Sequence, residues 1–377
     1  MTSNARSAPG ANPAVQTSIL LAPPRRSFLS GFLRWEWFLV VLIALVVLIN
    51  TRLSPYFLNV DNLFRASSDF MEMGLMMLPM VLIIITGNVD LAVASTLGMS
   101  ASLMGVLFNL GWNIWPAAAA ALLLGLAGGL LSGYLISRLK VPALVITLGT
   151  YAFYRGLAFV MLGDQAARNY PASFTYIGQG TLPGTPVPFS LLLFSVAAVI
   201  FGLVLHKTVF GRYLYAIGSN QDAVVYSGIP VARIKITLFA VSGLMSALAG
   251  LVLAARFGST RPDIGTGLEL AVITAAVLGG VDINGGKGSM VGAILALLLV
   301  GLMRFGMGLL NVQGQVQGIA IGILLVLSIL LPNLPQIIRT QRAEFSWRTL
   351  LWLFLLLVAA VVCAGLLWQV RTIVLSL

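Results

Sequence analysis

The sequence predicts an all-α polytopic integral membrane protein, a core of about ten spanning helices followed by one extra C-terminal hydrophobic helix. Three observations carry this. Hydrophobic residues make up 59% of the chain and charged residues 9%, with a mean hydropathy of +1.00, against roughly 25% charged residues in soluble domains. The apolar residues fall into runs near the roughly 20 residues that a spanning helix requires. Finally, Lys and Arg concentrate in short segments between those runs, the pattern that orients membrane proteins.

Taken in order, residues 1–34 are rich in Ser, Ala, Asn and Pro with no apolar period, which predicts a disordered cytosolic tail. This tail is not read as a cleaved leader, because the first apolar run begins only after Arg34 and no small-residue cleavage site follows it. That run is Trp35 to Thr51, with Trp35, Trp37 and Arg34 as interfacial anchors, and the second is Phe70 to Thr86. Gly87-Asn88-Val89-Asp90 interrupts, and the stretch from Leu91 to Ser137 is too long for one helix; Asn109, Gly111, Asn113 and Pro116 divide it. Val141 to Leu162 and Pro188 to Leu205 follow, separated by a long polar outer loop from Gly163 to Pro186. After a basic island at 206–235 come Ile236 to Ala255 and the run Leu270 to Val281, which is too short to span unless it takes in Thr266 to Glu269 and so predicts a broken or tilted helix. Met290 to Leu310 and Val316 to Leu331 complete the core domain, 35–332. The rest, 333–377, is read as a cytosolic linker and an added helix at Leu350 to Trp368.

Net charge of +11 would point a soluble protein toward nucleic acid, but here the basic residues mark loops, so no nucleic-acid partner is expected. With the N-terminus inside, residues 1–34, 138–140, 206–235, 287 and 339–348 place their Lys and Arg in the cytosol. Arg52, Arg65, Arg168, Arg256, Arg261 and Arg371 fall outside, so the asymmetry favours a cytosolic N-terminus. Cys363 is the sole cysteine and His206 the sole histidine, so no disulfide framework or metal site is expected.

The island at 206–235 has its own grammar. Gly211 ends an approach, Asn220 offers an N-cap, Asp222 to Tyr226 make little more than one helical turn, and Gly228 with Pro230 stop it. Phe210-Gly211-Arg212, Tyr215-Ala216-Ile217-Gly218, Asn220 and Ser227-Gly228-Ile229 resemble the cytoplasmic coupling segment of the ribose-type permeases of bacterial ABC sugar importers. Gly87, Asp90-Leu91 and Val93 resemble that family's G-x-x-D-L-S-V pattern, and Thr147-Leu148-Gly149-Thr150 its T-L-G-T. Leu278-Gly279-Gly280 with Gly285, Gly286 and Gly288 resemble its paired-glycine turn. Two departures stand out: Ala92 replaces the usual Ser, and Val224 stands where a second Ala is common.

The resemblance implies an inner-membrane permease subunit whose segment Gly211, Arg212, Gly218, Asn220, Asp222, Ala223 and Gly228 docks on a cytosolic ATP-binding subunit. It further implies a periplasmic sugar-binding protein and a second permease, either a copy or a sister chain. ATP would be bound by the ATPase partner, with no cofactor on this chain, because Lys287 is followed by Gly288 and the Gly-Lys-Ser/Thr of a phosphate loop is missing. Without carboxylate-pair or metal-cluster motifs an enzyme is not expected; a secondary transporter or channel is the rival class, kept open by Glu72, Asp90, Arg155 and Arg304.

Asp90 reads either as a helix cap or as a gating residue. Asn88, Asp90, Thr147, Thr150 and Tyr151 are the candidate translocation path, being hydrogen-bonding groups near membrane depth. Gly125, Gly129 and Gly133, and Ser242, Ser246 and Gly250, are small-residue stripes for close helix packing. For the substrate, Leu162 to Ala166, Tyr170-Pro171 and Gly258 to Pro262 resemble rhamnose permeases, making L-rhamnose the first choice. Ser68-Asp69-Phe70 with Leu78-Pro79 resemble autoinducer-2 permeases, and ribose, xylose and galactose-type sugars are further alternatives.

Overall fold

The computed structural model describes residues 35–139, 141–324 and 326–327. The expected tail 1–34, the region 333–377 and the end of the tenth run lie outside these residues. The first four helices are α1 (Trp35–Leu53), α2 (Val60–Ser67), α3 (Met71–Ile85) and α4 (Val93–Asn109). Next come α5 (Ile114–Leu139), α6 (Ala143–Leu162), α7 (Ala172–Gln179), α8 (Phe189–Lys207), α9 (Val209–Ser219) and α10 (Gln221–Tyr226). α11 (Val231–Phe257), α12 (Leu268–Leu278), α13 (Met290–Leu309) and α14 (Gly314–Leu324) complete the set. Among the described residues seven helical segments are long and apolar enough to cross a membrane, counting Val60–Ile85 as one, and α4, α12 and α14 are shorter apolar helices.

α3 is the axis of the bundle. Apart from Glu72 in its first turn its residues are apolar on every side, the pattern of a helix that buries its whole circumference, and every residue from Met71 to Ile85 is buried. The second run is longer than its hydropathy implied, because α2 feeds into α3 through a single 3-10 turn, Ser68–Phe70. Asp61, Asn62 and Arg65 hide α2 from a hydropathy reading, and Asn59 caps it by accepting from the Asn62 amide at 3.1 Å. α1 sits at the periphery with Leu39 its one buried residue, and the Trp35 indole ties it to α12 by donating to the Leu278 carbonyl at 2.7 Å.

α11 packs against α3, α4, α5 and α7. Its contact with α5 is backbone to backbone: a Cβ at Gly243 would stand 2.8 Å from the backbone nitrogen of Gly129. The glycine stripe on α5 is therefore a packing face, but its partner on α11 is Ile236, Phe239, Gly243 and Ala247 rather than the Ser242-Ser246-Gly250 stripe. That second stripe turns toward α4, where Gly250 meets Leu97 and Ser242 reaches Asp90.

The segment between α6 and α8 is not the plain loop its polarity predicts. It holds α7 and a strand β1 (Ala167–Arg168), which pairs antiparallel with β2 (Ser259–Thr260) from the turn after α11, Ala167 opposite Thr260. Tyr170 donates to Thr260 Oγ1 at 2.8 Å, and burial pushes its phenol up to about 12, so it remains a neutral donor. α12 is short, 11 residues, and is entered through left-handed Gly265 and Gly267; it takes in Leu268 and Glu269 but not Thr266, so it stays a short helix after a break.

Candidate functional site

Three segments distant in sequence converge at one end of the bundle: the α3–α4 break at 86–92, the α9–α10 island and the turn between α12 and α13. In the island, the Thr208 hydroxyl caps α9 by accepting from the Gly211 amide at 3.3 Å, and Asn220 Oδ1 caps α10 by accepting from Ala223 at 3.0 Å. α10 ends at Tyr226, and left-handed Gly228 precedes Pro230. The cap and the stop fall where the sequence placed them. Gly211 does not: it lies buried within α9, where it lets α9 fold back on the last turn of α8, since a Cβ there would strike the Leu205 carbonyl.

Gly218 marks the junction. A Cβ on it would collide with the Ile85 carbonyl at the end of α3 and with the Gly286 backbone, and Gly286 itself donates its N–H to Ile85 at 2.8 Å. A Cβ on Gly285 would stand 2.7 Å from the Gly87 nitrogen, so the end of α3, the last turn of α9 and the glycine turn meet backbone to backbone. The Tyr215 hydroxyl reinforces this by donating to the Gly288 carbonyl at 2.9 Å, and burial raises its phenol above the ordinary range. The turn has the character expected of it: Gly280, Gly285 and Gly286 adopt positive φ, while Gly279 admits the close approach of Ala293.

From the junction the break runs along α11. Asp90 is buried; its Oδ1 accepts from the Ala92 amide at 3.0 Å and its Oδ2 from the Ser242 hydroxyl at 2.9 Å. The first bond is a local turn just ahead of α4 and the second a tie between helices, so Asp90 shapes the break. Thr147 Oγ1 donates to the Val89 carbonyl at 3.3 Å, which brings α6 to the same place. Thr150 instead bonds its own helix at Ile146 and meets Ser132 on α5, and Tyr151 is half-buried beside a cluster that includes Tyr154. Asn88, Asp90 and Thr147 are therefore gathered, while Thr150 faces α5.

Removing the carboxylate by Asp90→Ala leaves two buried donors without an acceptor, which costs about 1–3 kcal/mol for each. The expected outcome is a sharp loss of monodisperse protein in detergent. Asp90→Asn keeps an acceptor and should retain it, and equal losses in both variants would assign the effect to charge rather than to hydrogen bonding.

Composition misses other contributors that only three-dimensional pairing exposes. Arg155 on α6 donates to the carbonyls of Pro262, Ile264 and Ala94 at 2.7, 3.1 and 3.0 Å, joining the turn after α11 to the first turn of α4. Glu72 pairs with Arg256, at 2.7 Å, rather than with Arg155 or Arg304, and the same guanidinium reaches Asp69 at 2.7 Å. A cavity of about 220 Å³ opens beside these charges and is lined also by Thr266 and Arg304. On the other end, Val225 and Tyr226 are exposed, Tyr226 at 90%, an apolar knob on α10 that a reading for glycines and caps passes over.

The family described as "Branched-chain amino acid transport system / permease component" matches residues 62–329, from α2 through α14. The chain belongs to this permease family. It is 38% identical over 324 residues to the autoinducer 2 import system permease protein LsrD of Klebsiella pneumoniae subsp. pneumoniae, covering 84% of this chain and 96% of the relative. It is likewise 38% identical over 304 residues to the protein of that name from Enterobacter sp., covering 79% and 92%. No solved structure matches the chain. Family and relatives agree with the resemblance to sugar-importer permeases drawn from the motifs, and the permease core described here is an all-α polytopic membrane protein. The relatives carry the name of the second substrate choice, autoinducer 2, and L-rhamnose finds no support among them.

Proposed function

We propose that this chain is the membrane-spanning subunit of an ATP-binding-cassette importer of the bacterial inner membrane, passing a small sugar-like molecule of the autoinducer 2 class. In this reading it works with a separate cytosolic ATPase, a periplasmic binding protein and a second permease, with its N-terminus and the α9–α10 island in the cytosol. The observation that carries the reading is the island itself: a capped helix of six residues that presents Val225 and Tyr226 outward while its supporting helix α9 is wedged against the end of α3. A channel or ion-coupled carrier has no use for such an element. ATP belongs to the partner; this chain supplies the surface that is pushed and the spans that tilt.

The proposed path passes the outer turn held by Arg155 and then Asp90, Thr147 and Asn88, with Thr150 and Tyr151 on the flanking helix α6. Sparse polar groups suit a sugar that must be released again, since tight binding inside the permease would oppose transfer. The substrate class rests on the relatives' names alone.

The test is disruption of this chain in its native host. Depletion of autoinducer 2 from the medium should be abolished and restored by the intact chain in trans. Unchanged depletion together with lost uptake of ribose, rhamnose or another sugar would overturn the substrate class and leave the transport class standing.

A further inference from the structure

Lys235 stands where the island meets the break. It lies one turn into α11, and its Nζ donates to Gln221 Oε1, at the first residue of α10, at 2.7 Å and to Asn88 Oδ1 at 3.4 Å. Asn88 is buried, and its amide nitrogen is already committed to the carbonyl and hydroxyl oxygens of Thr86, at 3.0 and 2.9 Å. That orientation leaves the Asn88 oxygen for a cation. Seven residues further on, two turns along the same face of α11, Ser242 holds Asp90. α11 thus grips the break at two points about 10 Å apart, and the lower grip is shared with the coupling helix.

We propose that Lys235 is a positioning residue that links displacement of α10 to the conformation of the 86–92 break. This rests on the importer reading given above. The Gly218–Gly286–Ile85 junction, held by the Gly286 N–H on the Ile85 carbonyl and the Tyr215 hydroxyl on the Gly288 carbonyl, ties α9 rather than α10 to the end of α3. The Lys235 link ties α10 itself to the break: when Gln221 moves, the ammonium either follows and drags Asn88 or lets go of one partner. Either event changes what holds the lower end of the break while Ser242 keeps its upper end on α11. A lysine suits the task, since its flexible stem lets one point charge serve two acceptors through a range of positions.

The test uses the full chain with its ATPase and second permease in lipid nanodiscs, in a Cys363→Ser background carrying Leu91→Cys as a reporter in the break. In the unaltered chain, maleimide labelling of position 91 should change severalfold between the nucleotide-free and ATP–vanadate states. In Lys235→Met, which keeps the stem and removes the donor, that change should collapse to less than twofold, and stimulation of ATP hydrolysis by the loaded binding protein should fall about tenfold. Lys235→Arg should restore at least half of both. Gln221→Leu, at an exposed position, cuts the same link from the other side and should give the same uncoupled behaviour even where Lys235→Met inserts poorly. A full labelling response in either Lys235→Met or Gln221→Leu would overturn the link. A chain that shows no nucleotide response before any change at Lys235 would overturn the importer reading, and the inference with it.

Discussion

Replacing Asp222 to Tyr226 by a Gly/Ser stretch should leave the chain folded in the membrane but abolish substrate-stimulated ATP hydrolysis by the assembled complex. α10 contributes little to the bundle: Val224 is its one buried residue, and full burial of such a side chain is worth roughly 1.5–3 kcal/mol. What the helix offers is outward. Val225 is half exposed and Tyr226 almost wholly so, on an element with a side-chain cap at its start and a left-handed glycine at its end. A rigid aromatic presented in this way is the kind of residue that anchors an interface. Tyr226→Ala alone should then weaken association with the ATPase by at least about 30-fold, the equivalent of a hot spot of roughly 2 kcal/mol. Pull-down of the ATPase and its stimulated turnover are the readouts. Full stimulation in the exchanged chain would remove α10 from the mechanism.

The parts of this protein that lipid dictates were legible in the sequence, and the parts that pairing dictates were not. Among the described residues the long apolar runs are helices near their expected bounds, because a backbone in hydrocarbon has to satisfy its own hydrogen bonds. The limits of α10 were legible for a local reason as well, Asn220 and Gly228 acting within one turn of themselves. α2 and α7 were not, since short amphipathic helices at a membrane edge read as polar loops. Gly211 was misread because a glycine inside a helix looks like a glycine that ends one, and the reason for it is the Leu205 carbonyl in the preceding helix.

Within the candidate site, Asp90 and Asn88 announced themselves as polar groups in an apolar setting. Lys235 did not, being one more basic residue in a basic island until Gln221 and Asn88 are seen on either side of it. Arg256 was likewise counted as a loop charge, whereas its partner Glu72 lies 184 residues earlier and is buried on the central helix. Losing Arg256 would strand the buried Glu72 carboxyl without its partner. Nothing local in the sequence marks that dependence.

The largest loss of folded protein should come from Gly129→Leu. Helices in lipid gain nothing from hiding apolar surface from each other, so close packing of small residues supplies what holds them together. At the α5–α11 crossing the small residues are glycines on both sides. A Cβ on Gly129 would run into the Phe239 carbonyl and stand 3.0 Å from the Ala240 Cα, and one on Gly243 would stand 2.8 Å from the Gly129 Cα. Both obstacles are backbone, so no rotamer change relieves the clash and the two helices have to separate. Separation would also break the contacts of Gly133 with Ile236 and of Gly125 with Ala247, and it would shift Ser242 away from Asp90. Ordinary overpacking costs about 1–3 kcal/mol; here a leucine meets main chain along the face that fixes α11, and the expected outcome is almost no monodisperse protein after detergent extraction. Gly149→Ala on α6 is the control: nothing lies within 4 Å of its Cβ position, and removing a mid-helix glycine should stabilise the chain by roughly 0.5–1 kcal/mol. If Gly129→Leu extracts and melts like Gly149→Ala, α5 and α11 do not cross at these glycines, and the tie from Ser242 to Asp90 loses its support.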